Sequence, residues 1–143
     1  MPSELLIRPL ALADLPTVER IQELNPAGAQ WQPVDYLAYE TRVAEICGAV
    51  VGLIAVQLLP GGEAEILNLA VHPDHKRQGV GTRLLATVEA ATVWLDVRES
   101  NAPALAFYRK YGFVKTGHRR RYYTKPVEDS VLMSRRTASG DAP

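Results

Sequence analysis

The sequence predicts an α/β (α+β) fold: a mixed, mainly antiparallel sheet with a central parallel strand pair and flanking helices. Residues 42–71 hold three apolar runs separated by glycine turns, which reads as an antiparallel meander. Residues 64–97 then run strand, glycine-rich loop, helix and strand. That order is a βαβ crossover, and a crossover of that kind joins parallel strands.

The elements follow in order. Glu4 to Arg8 reads as a short strand ended by Pro9. Asp14 is placed to cap a helix with Pro16 in its first turn, and Leu15, Val18, Ile21 and Leu24 form its apolar face. Asn25-Pro26-Ala27-Gly28 breaks that helix, and a second short one is expected from Pro33 to Tyr39, with Trp31 packed at its entrance. Arg42 to Cys47, Gly48 and Ala49 to Leu58 make a hairpin; Pro60-Gly61-Gly62 turns the chain into Ala64 to Val71, which Pro73 ends.

Leu84, Leu85 and Val88 give helical spacing within Thr82 to Ala91, ahead of an apolar strand from Thr92 to Val97. A strand from Ala64 to Val71 extends ~25 Å at about 3.3 Å per residue, whereas a helix from Gly81 to Ala91 covers only ~16 Å. Either that helix ends early or the two strands are offset. Ala102 to Lys110 reads as a helix stopped by Gly112 at C′, followed by a strand start at Phe113 to Thr116. Tyr122-Tyr123 and Val131-Leu132-Met133 suggest a last antiparallel pair. Residues 1–134 are expected to form one domain, and 135–143, small and polar, a disordered tail.

Composition narrows the function classes. Lys plus Arg and Asp plus Glu both number 16, so no bulk charge holds the chain to nucleic acid or membrane. Cys47 is the only cysteine, which excludes an intrachain disulfide and fits a reducing compartment. Cys47 itself reads as a small apolar filler. No run approaches the ~18 apolar residues of a spanning helix, and Met1-Pro2-Ser3-Glu4 lacks a signal-peptide pattern. A cytoplasmic protein is expected. His72 and His75 have no third ligand at recognisable spacing, so no metal site is expected.

Gly79 and Gly81 flank Val80 at the start of a helix, with His75, Lys76 and Arg77 adding positive charge. Helix N-termini carry orphan amides and a partial positive charge, which suit phosphate oxygens. Taken alone, the pair is neither a dinucleotide fingerprint nor a P-loop.

The run from Ile66 through Asn68-Leu69-Ala70-Val71-His72-Pro73 and Lys76-Arg77-Gln78-Gly79-Val80-Gly81-Thr82 to Leu85 resembles the acetyl-coenzyme-A motif of the GNAT superfamily of N-acetyltransferases. Trp94-Leu95-Asp96-Val97-Arg98-Glu99-Ser100-Asn101-Ala102-Pro103 through Phe107-Tyr108 to Gly112-Phe113 is similar to that superfamily's later motif. Arg119-Arg120-Arg121-Tyr122-Tyr123 with Glu128-Asp129 is similar to its ribosomal-protein alanine N-acetyltransferase branch, which modifies protein N-termini. The resemblance covers most of Glu63 to Met133 and is weak before that.

It implies that the central parallel strands splay apart and that acetyl-CoA is the co-substrate. Backbone groups of Leu69, Ala70 and Val71 would hold the acetyl and pantetheine end. Arg77, Gln78, Gly79, Val80, Gly81 and Thr82 would wrap the pyrophosphate, and Asn101 would contact the coenzyme arm. Tyr108 would protonate the departing thiolate. Asp96 stands where the branch carries a glutamate acting as general base. Three departures accompany the match: Lys76 replaces the usual Gln or Arg, Asp96 is one methylene shorter than Glu, and the helix after the loop is ~7 residues shorter than usual, about two turns. The acceptor implied is a protein N-terminus or another primary amine. A small-molecule amine acceptor, or a coenzyme-A-binding regulatory module with little turnover, are the alternatives.

The chemistry gives these groups tasks. A neutral amine must attack a polarised thioester while a thiolate leaves. A protein α-amino group, with pKa about 7.7–8.0, is partly neutral at pH 7 and needs only a modest base. Backbone amides of a splayed strand would stabilise the oxyanion by ~3 kcal/mol each. Outside this context Tyr108 reads as a half-buried packing residue; within it the catalytic reading is preferred. Asp96 has a second reading as a strand residue paired with Arg98 or Lys110, and Glu65 or Glu99 would then supply the base. Arg119, Arg120 and Arg121 read as a solvated strand edge, or as contacts to phosphate or peptide.

Overall fold

The computed structural model describes residues 4–137. Seven strands, β1 (Leu5–Pro9), β2 (Glu40–Ile46), β3 (Ala49–Leu59), β4 (Glu63–Val71), β5 (Thr92–Arg98), β6 (Val114–Thr124) and β7 (Val127–Arg136), form one sheet in the order β1-β2-β3-β4-β5-β7-β6. Among the described residues three α-helices accompany them: α1 (Leu15–Glu23), α2 (Val80–Leu85) and α3 (Ala102–Lys110). The sheet is mixed, as expected: β1–β2, β2–β3, β5–β7 and β6–β7 pair antiparallel, and β4–β5 pairs parallel, Glu63 with Thr92, Ala64 with Val93 and Glu65 with Trp94. The contacts group residues through Gln57 with Ile66–Glu89 as one unit, and Leu58–Glu65 with the residues from Ala90 onward as another.

In the first unit, Val18 and Ile21 of α1 are fully buried with Tyr36, Val43, Leu53 and Ala55, and Ala70 is nearly so. Each such aliphatic side chain stabilises the fold by about 1.5–3 kcal/mol. Asp14 precedes α1 but does not cap it with its side chain. Its carboxylate instead accepts from the two terminal nitrogens of the Arg8 guanidinium, at 2.8 and 2.9 Å, and from Ala11 N at 2.8 Å. A 3-10 helix, Pro33–Ala38, occupies the expected second helical segment, and Trp31 stacks on Tyr36 with ring centroids 4.8 Å apart. Cys47 is exposed in the β2–β3 turn at φ 52, beside Gly48 at φ 80, and is not the core filler its size suggested.

Helix α2 ends at Leu85, six residues short of Ala91. The Thr87 hydroxyl donates to Leu84 O at 2.7 Å, and an Arg42 guanidinium nitrogen donates to Thr87 Oγ1 at 3.0 Å. A threonine that bonds a backbone carbonyl locally competes with the helix ladder, which is why apolar spacing overshot here. Gly52 permits the close approach of α2: a Cβ there would lie 3.0 Å from Val80 Cγ1, 3.1 Å from Leu84 Cδ1 and 3.2 Å from Ala70 O.

In the second unit, β5 alternates strictly, with Val93, Leu95 and Val97 buried and Thr92, Trp94, Asp96 and Arg98 on the half-buried face. Helix α3 ends as the sequence requires. Gly112 at φ 93 donates to Arg109 O, and Phe113 N donates to Tyr108 O, the paired bonds of a Schellman motif. Strand β7 continues through Arg135 and Arg136, past the boundary drawn at residue 134, and Thr137 N donates to Ala91 O. Residues 138–143 of the expected tail lie outside the described residues.

Candidate active site

The residues that the sequence singles out fall into two sets, one in each unit. In the first unit, Leu69, Ala70 and Val71 close β4, with Ala70 buried and its neighbours half-buried. The Val71 carbonyl is already taken, because Asn25 Nδ2 donates to it at 3.0 Å. That bond ties the end of α1 to the end of β4. Beyond it, His72 Nδ1 accepts from Asp74 N at 3.1 Å and closes the turn into residues 73–75.

Arg77 at φ 68 and Gly79 at φ 80 then both adopt left-handed backbone. The first i→i−4 bond of α2 runs from Arg83 N to Gly79 O at 3.0 Å, so the amides of Val80 and Gly81 precede it without an intrahelical acceptor. Val80 is 1% exposed and anchors the turn, whereas Lys76, Arg77, Gln78 and Gly79 face solvent. Nothing stands within 4 Å of the place a Gly79 Cβ would occupy. Orphan amides, two cations and an open approach fit a phosphate group. Thr82 is half-buried on the first turn of the same helix.

In the second unit, Asp96 is 8% exposed at its side chain and lies among polar groups. Ser130, fully buried on β7, donates to Asp96 Oδ1 at 2.6 Å, and Arg119 Nε on β6 lies 3.2 Å from the same oxygen. Arg98 does not pair with Asp96; it binds Glu128 at 3.2 Å and covers the Tyr123 ring at 4.3 Å. Arg119 also lies over the Tyr122 ring, at 5.3 Å. Glu65 is held above the usual carboxylate range by burial first and then by the charge of Asp96, with Arg119 opposing. Tyr123 is pushed up to about 12 by burial and by the Asp96 charge.

Tyr108 is 8% exposed, edge-on to Phe107 and to Phe113. Burial pushes its hydroxyl well above the ordinary tyrosine range, and Tyr123 adds to the shift. Tyr123 is thus the electrostatic neighbour that Asp96 and Tyr108 share. Asn101 caps α3, its Oδ1 accepting from Ala104 N at 3.2 Å.

This strand–turn–helix followed by an acid–tyrosine cluster has counterparts. The model of the Acetyltransferase (GNAT) family matches residues 10–113. The chain belongs to the GNAT acetyltransferase family. A ribosomal protein bS18-alanine N-acetyltransferase of Escherichia coli K12 is 43% identical over 81 residues, which cover 50% of this chain and 55% of that protein. The chain therefore spans about half the length of the curated relatives it matches. The crystal structure of the ribosomal-protein-S18-alanine N-acetyltransferase from Escherichia coli superposes with a TM-score of 0.79 at 30% identity, covering 93% of this chain and 94% of that one. Ard1 from Thermoplasma volcanium superposes at 0.85 with 29% identity, covering 93% and 97%.

Within this GNAT chain, sequence reading missed the partners of Asp96. Ser130 carries no motif; the β5–β7 register sets it opposite Arg98, diagonal to Asp96, and its hydroxyl reaches the Asp96 carboxylate. Glu99, His118 and Asp129 were also not grouped, yet their ligand-type atoms lie within 4.8 Å of one another. His118 Nε2 is 2.7 Å from Asp129 Oδ2 and 3.4 Å from Glu99 Oε2, so the imidazole sits between the two carboxylates. Asp129 Oδ1 also accepts from Arg121 N at 2.9 Å, holding the β6 bulge where Arg121 has φ 51.

Proposed function

We propose that this chain is an acetyl-CoA-dependent N-acetyltransferase whose acceptor is the N-terminal α-amino group of a protein, such as a ribosomal protein. The observation that carries the proposal is the path of Ile66 to Leu85: a strand end, a left-handed turn through Arg77 and Gly79, and a short helix opening on two orphan amides. The identity to a ribosomal-protein alanine acetyltransferase supports the acceptor class. The family match runs through both units, which supports reading residues 1–134 as one acetyltransferase domain.

Each group has one task. The amides of Val80 and Gly81, with Gln78, Gly79, Thr82 and the Arg77 charge, hold the pyrophosphate. Backbone groups of Leu69, Ala70 and Val71 hold the pantetheine and acetyl end; the Val71 carbonyl is engaged by Asn25, so Val71 contributes through its amide. Asn101 contacts the coenzyme arm. The acceptor nitrogen attacks the thioester carbonyl, its surplus proton leaves to a carboxylate, and the C–S bond breaks as the thiolate takes a proton from Tyr108. A hydroxyl held well above its ordinary range stays protonated throughout the working pH range, so Tyr108 is always loaded as a donor.

Asp96 is the carboxylate in the position of the family base, and Glu65, its electrostatic partner, is the second acceptor for that proton. A raised pKa makes Glu65 a better proton acceptor than an ordinary glutamate.

The test is thiol release from acetyl-CoA with short peptides whose N-termini are free or blocked. Release only with free N-termini supports the proposal. Acetylation confined to lysine side chains refutes the N-terminal assignment, and tight coenzyme binding with no release across a broad amine panel refutes turnover.

A further inference from the structure

The second unit carries a cluster to which the proposed reaction gives no task. Glu99 follows the end of β5, His118 lies on the edge strand β6, and Asp129 lies on β7. Among the described residues, this is the one place where three side chains of metal-ligating kinds bring donor atoms within 4.8 Å of one another. The backbone sets them up. Strands β6 and β7 pair antiparallel with His118 opposite Val131, and Glu99 N donates to Asp129 O at 3.1 Å, which draws the exit of β5 to β7. Consecutive strand residues point to opposite faces. Arg119 and Ser130, the neighbours of His118 and Asp129, reach Asp96, so the cluster sits on the other face of the same two strands.

The spacing suits one ion. Two donors bound tetrahedrally at ~2.0–2.2 Å lie ~3.3 Å from each other. His118 Nε2 is already 3.4 Å from Glu99 Oε2, and the Asp129 oxygen, now at 2.7 Å, has to retreat by only about 0.6 Å. The second oxygen of Asp129 accepts from Arg121 N at 2.9 Å, a partner outside the three residues that orients the carboxylate as outer-shell bonds orient metal ligands. The side chains of His118, Asp129 and Glu99 are 34%, 32% and 55% exposed, so an ion can enter and water can complete its coordination. The donor set selects the ion. One imidazole nitrogen with two carboxylates neutralises a dication and suits zinc-like metals, whereas Ca2+ takes six to eight oxygens and Mg2+ keeps an octahedron of oxygens.

We propose that Glu99, His118 and Asp129 form an accessory site for a divalent transition-metal ion of the zinc class, completed by water. The ion takes no part in acetyl transfer. It ties the exit of β5 to β6 and β7, the strands that carry Arg119 and Ser130 to Asp96.

The test is direct metal binding by the full chain after treatment with a chelator. A Cys47→Ser background removes the sequence's one thiol as a competing ligand. Co2+ is titrated by its visible absorption, and Zn2+, Mg2+ and Ca2+ are then offered as competitors. One equivalent of Co2+ is expected to bind with the intense bands of a four- or five-coordinate ion, to be displaced by Zn2+, and to resist an excess of Mg2+ or Ca2+. His118→Ala should abolish that binding, and Glu99→Gln should weaken it by at least the ~10-fold to 100-fold that loss of an outer-shell partner costs. His72→Ala, outside the cluster, should leave it unchanged. Both cluster residues lie outside the buried core, and circular dichroism checks that both variants are folded. These readouts involve no acetyl transfer, so the metal site can fail while the proposed reaction stands. Absence of stoichiometric binding, displacement of Co2+ by Mg2+ or Ca2+ as readily as by Zn2+, full retention in His118→Ala, or loss in His72→Ala would each overturn the proposal.

Discussion

The Ser130 hydroxyl donates a 2.6 Å hydrogen bond to Asp96 Oδ1, the oxygen that Arg119 Nε approaches at 3.2 Å. A hydroxyl and a guanidinium on one oxygen fix that carboxylate in place, and Glu65 carries the raised pKa beside it. Two consequences follow for catalysis.

Tyr108→Phe is expected to lower kcat by about 100-fold, within the usual worth of a positioned acid, with acetyl-CoA affinity nearly unchanged. Asp96→Asn should cost less, about 10-fold, because Glu65 remains to accept the proton. Steady-state thiol release on both variants gives the order. Equal activity of Tyr108→Phe would remove Tyr108 from the mechanism, and a larger loss in Asp96→Asn would make Asp96 the proton acceptor.

Glu65 also leaves a signature in stability. Its pKa in the folded chain is raised above the ordinary 4.5, so folding favours its protonated form. That contribution is fully present below 4.5 and is lost as pH rises through the raised folded value. Glu65→Gln mimics the protonated state. Urea midpoints of variant and parent should coincide near pH 4 and separate in favour of the variant at pH 7.5.

The Arg8–Asp14 pair has the opposite sign. The Arg8 hydrogen bond holds Asp14 below its ordinary 3.8, so its stabilisation is complete at neutral pH and is lost as pH falls through the lowered value. Asp14→Asn should cost about 2 kcal/mol at pH 7 by urea denaturation, and the gap should close in acid.

Gly52→Ala tests the seat of α2. A methyl group 3.0 Å from Val80 Cγ1 and 3.2 Å from the Ala70 carbonyl forces the helix or β4 to shift. A loss of about 1–3 kcal/mol is expected. The KM for acetyl-CoA should rise, because Val80 anchors the turn whose amides are assigned to the pyrophosphate.

Much of the fold was legible because its signals are local. The apolar runs of β4 and β5, Gly112 after α3 and the glycine turns of the meander each act within a few residues. What escaped depended on contacts distant in sequence. The end of α2 lies with Thr87 and Arg42, 45 residues apart, so apolar spacing alone carried the helix too far. Asp14 looked like a helix cap until Arg8 claimed it. Asp96 drew attention by resemblance, but Ser130, 34 residues on, is an ordinary serine until β7 pairs with β5. Asn25 read only as a helix breaker, whereas its side chain reaches the Val71 carbonyl across 46 residues.

The most direct measurement is the position of the acetyl group itself. The protein, isotopically labelled acetyl-CoA and an unblocked peptide containing an internal lysine are incubated, and the product is fragmented by mass spectrometry. The account predicts label on the first residue's α-nitrogen, strongly reduced with Tyr108→Phe. Label on the lysine alone, or none on any peptide while coenzyme binds, would contradict it.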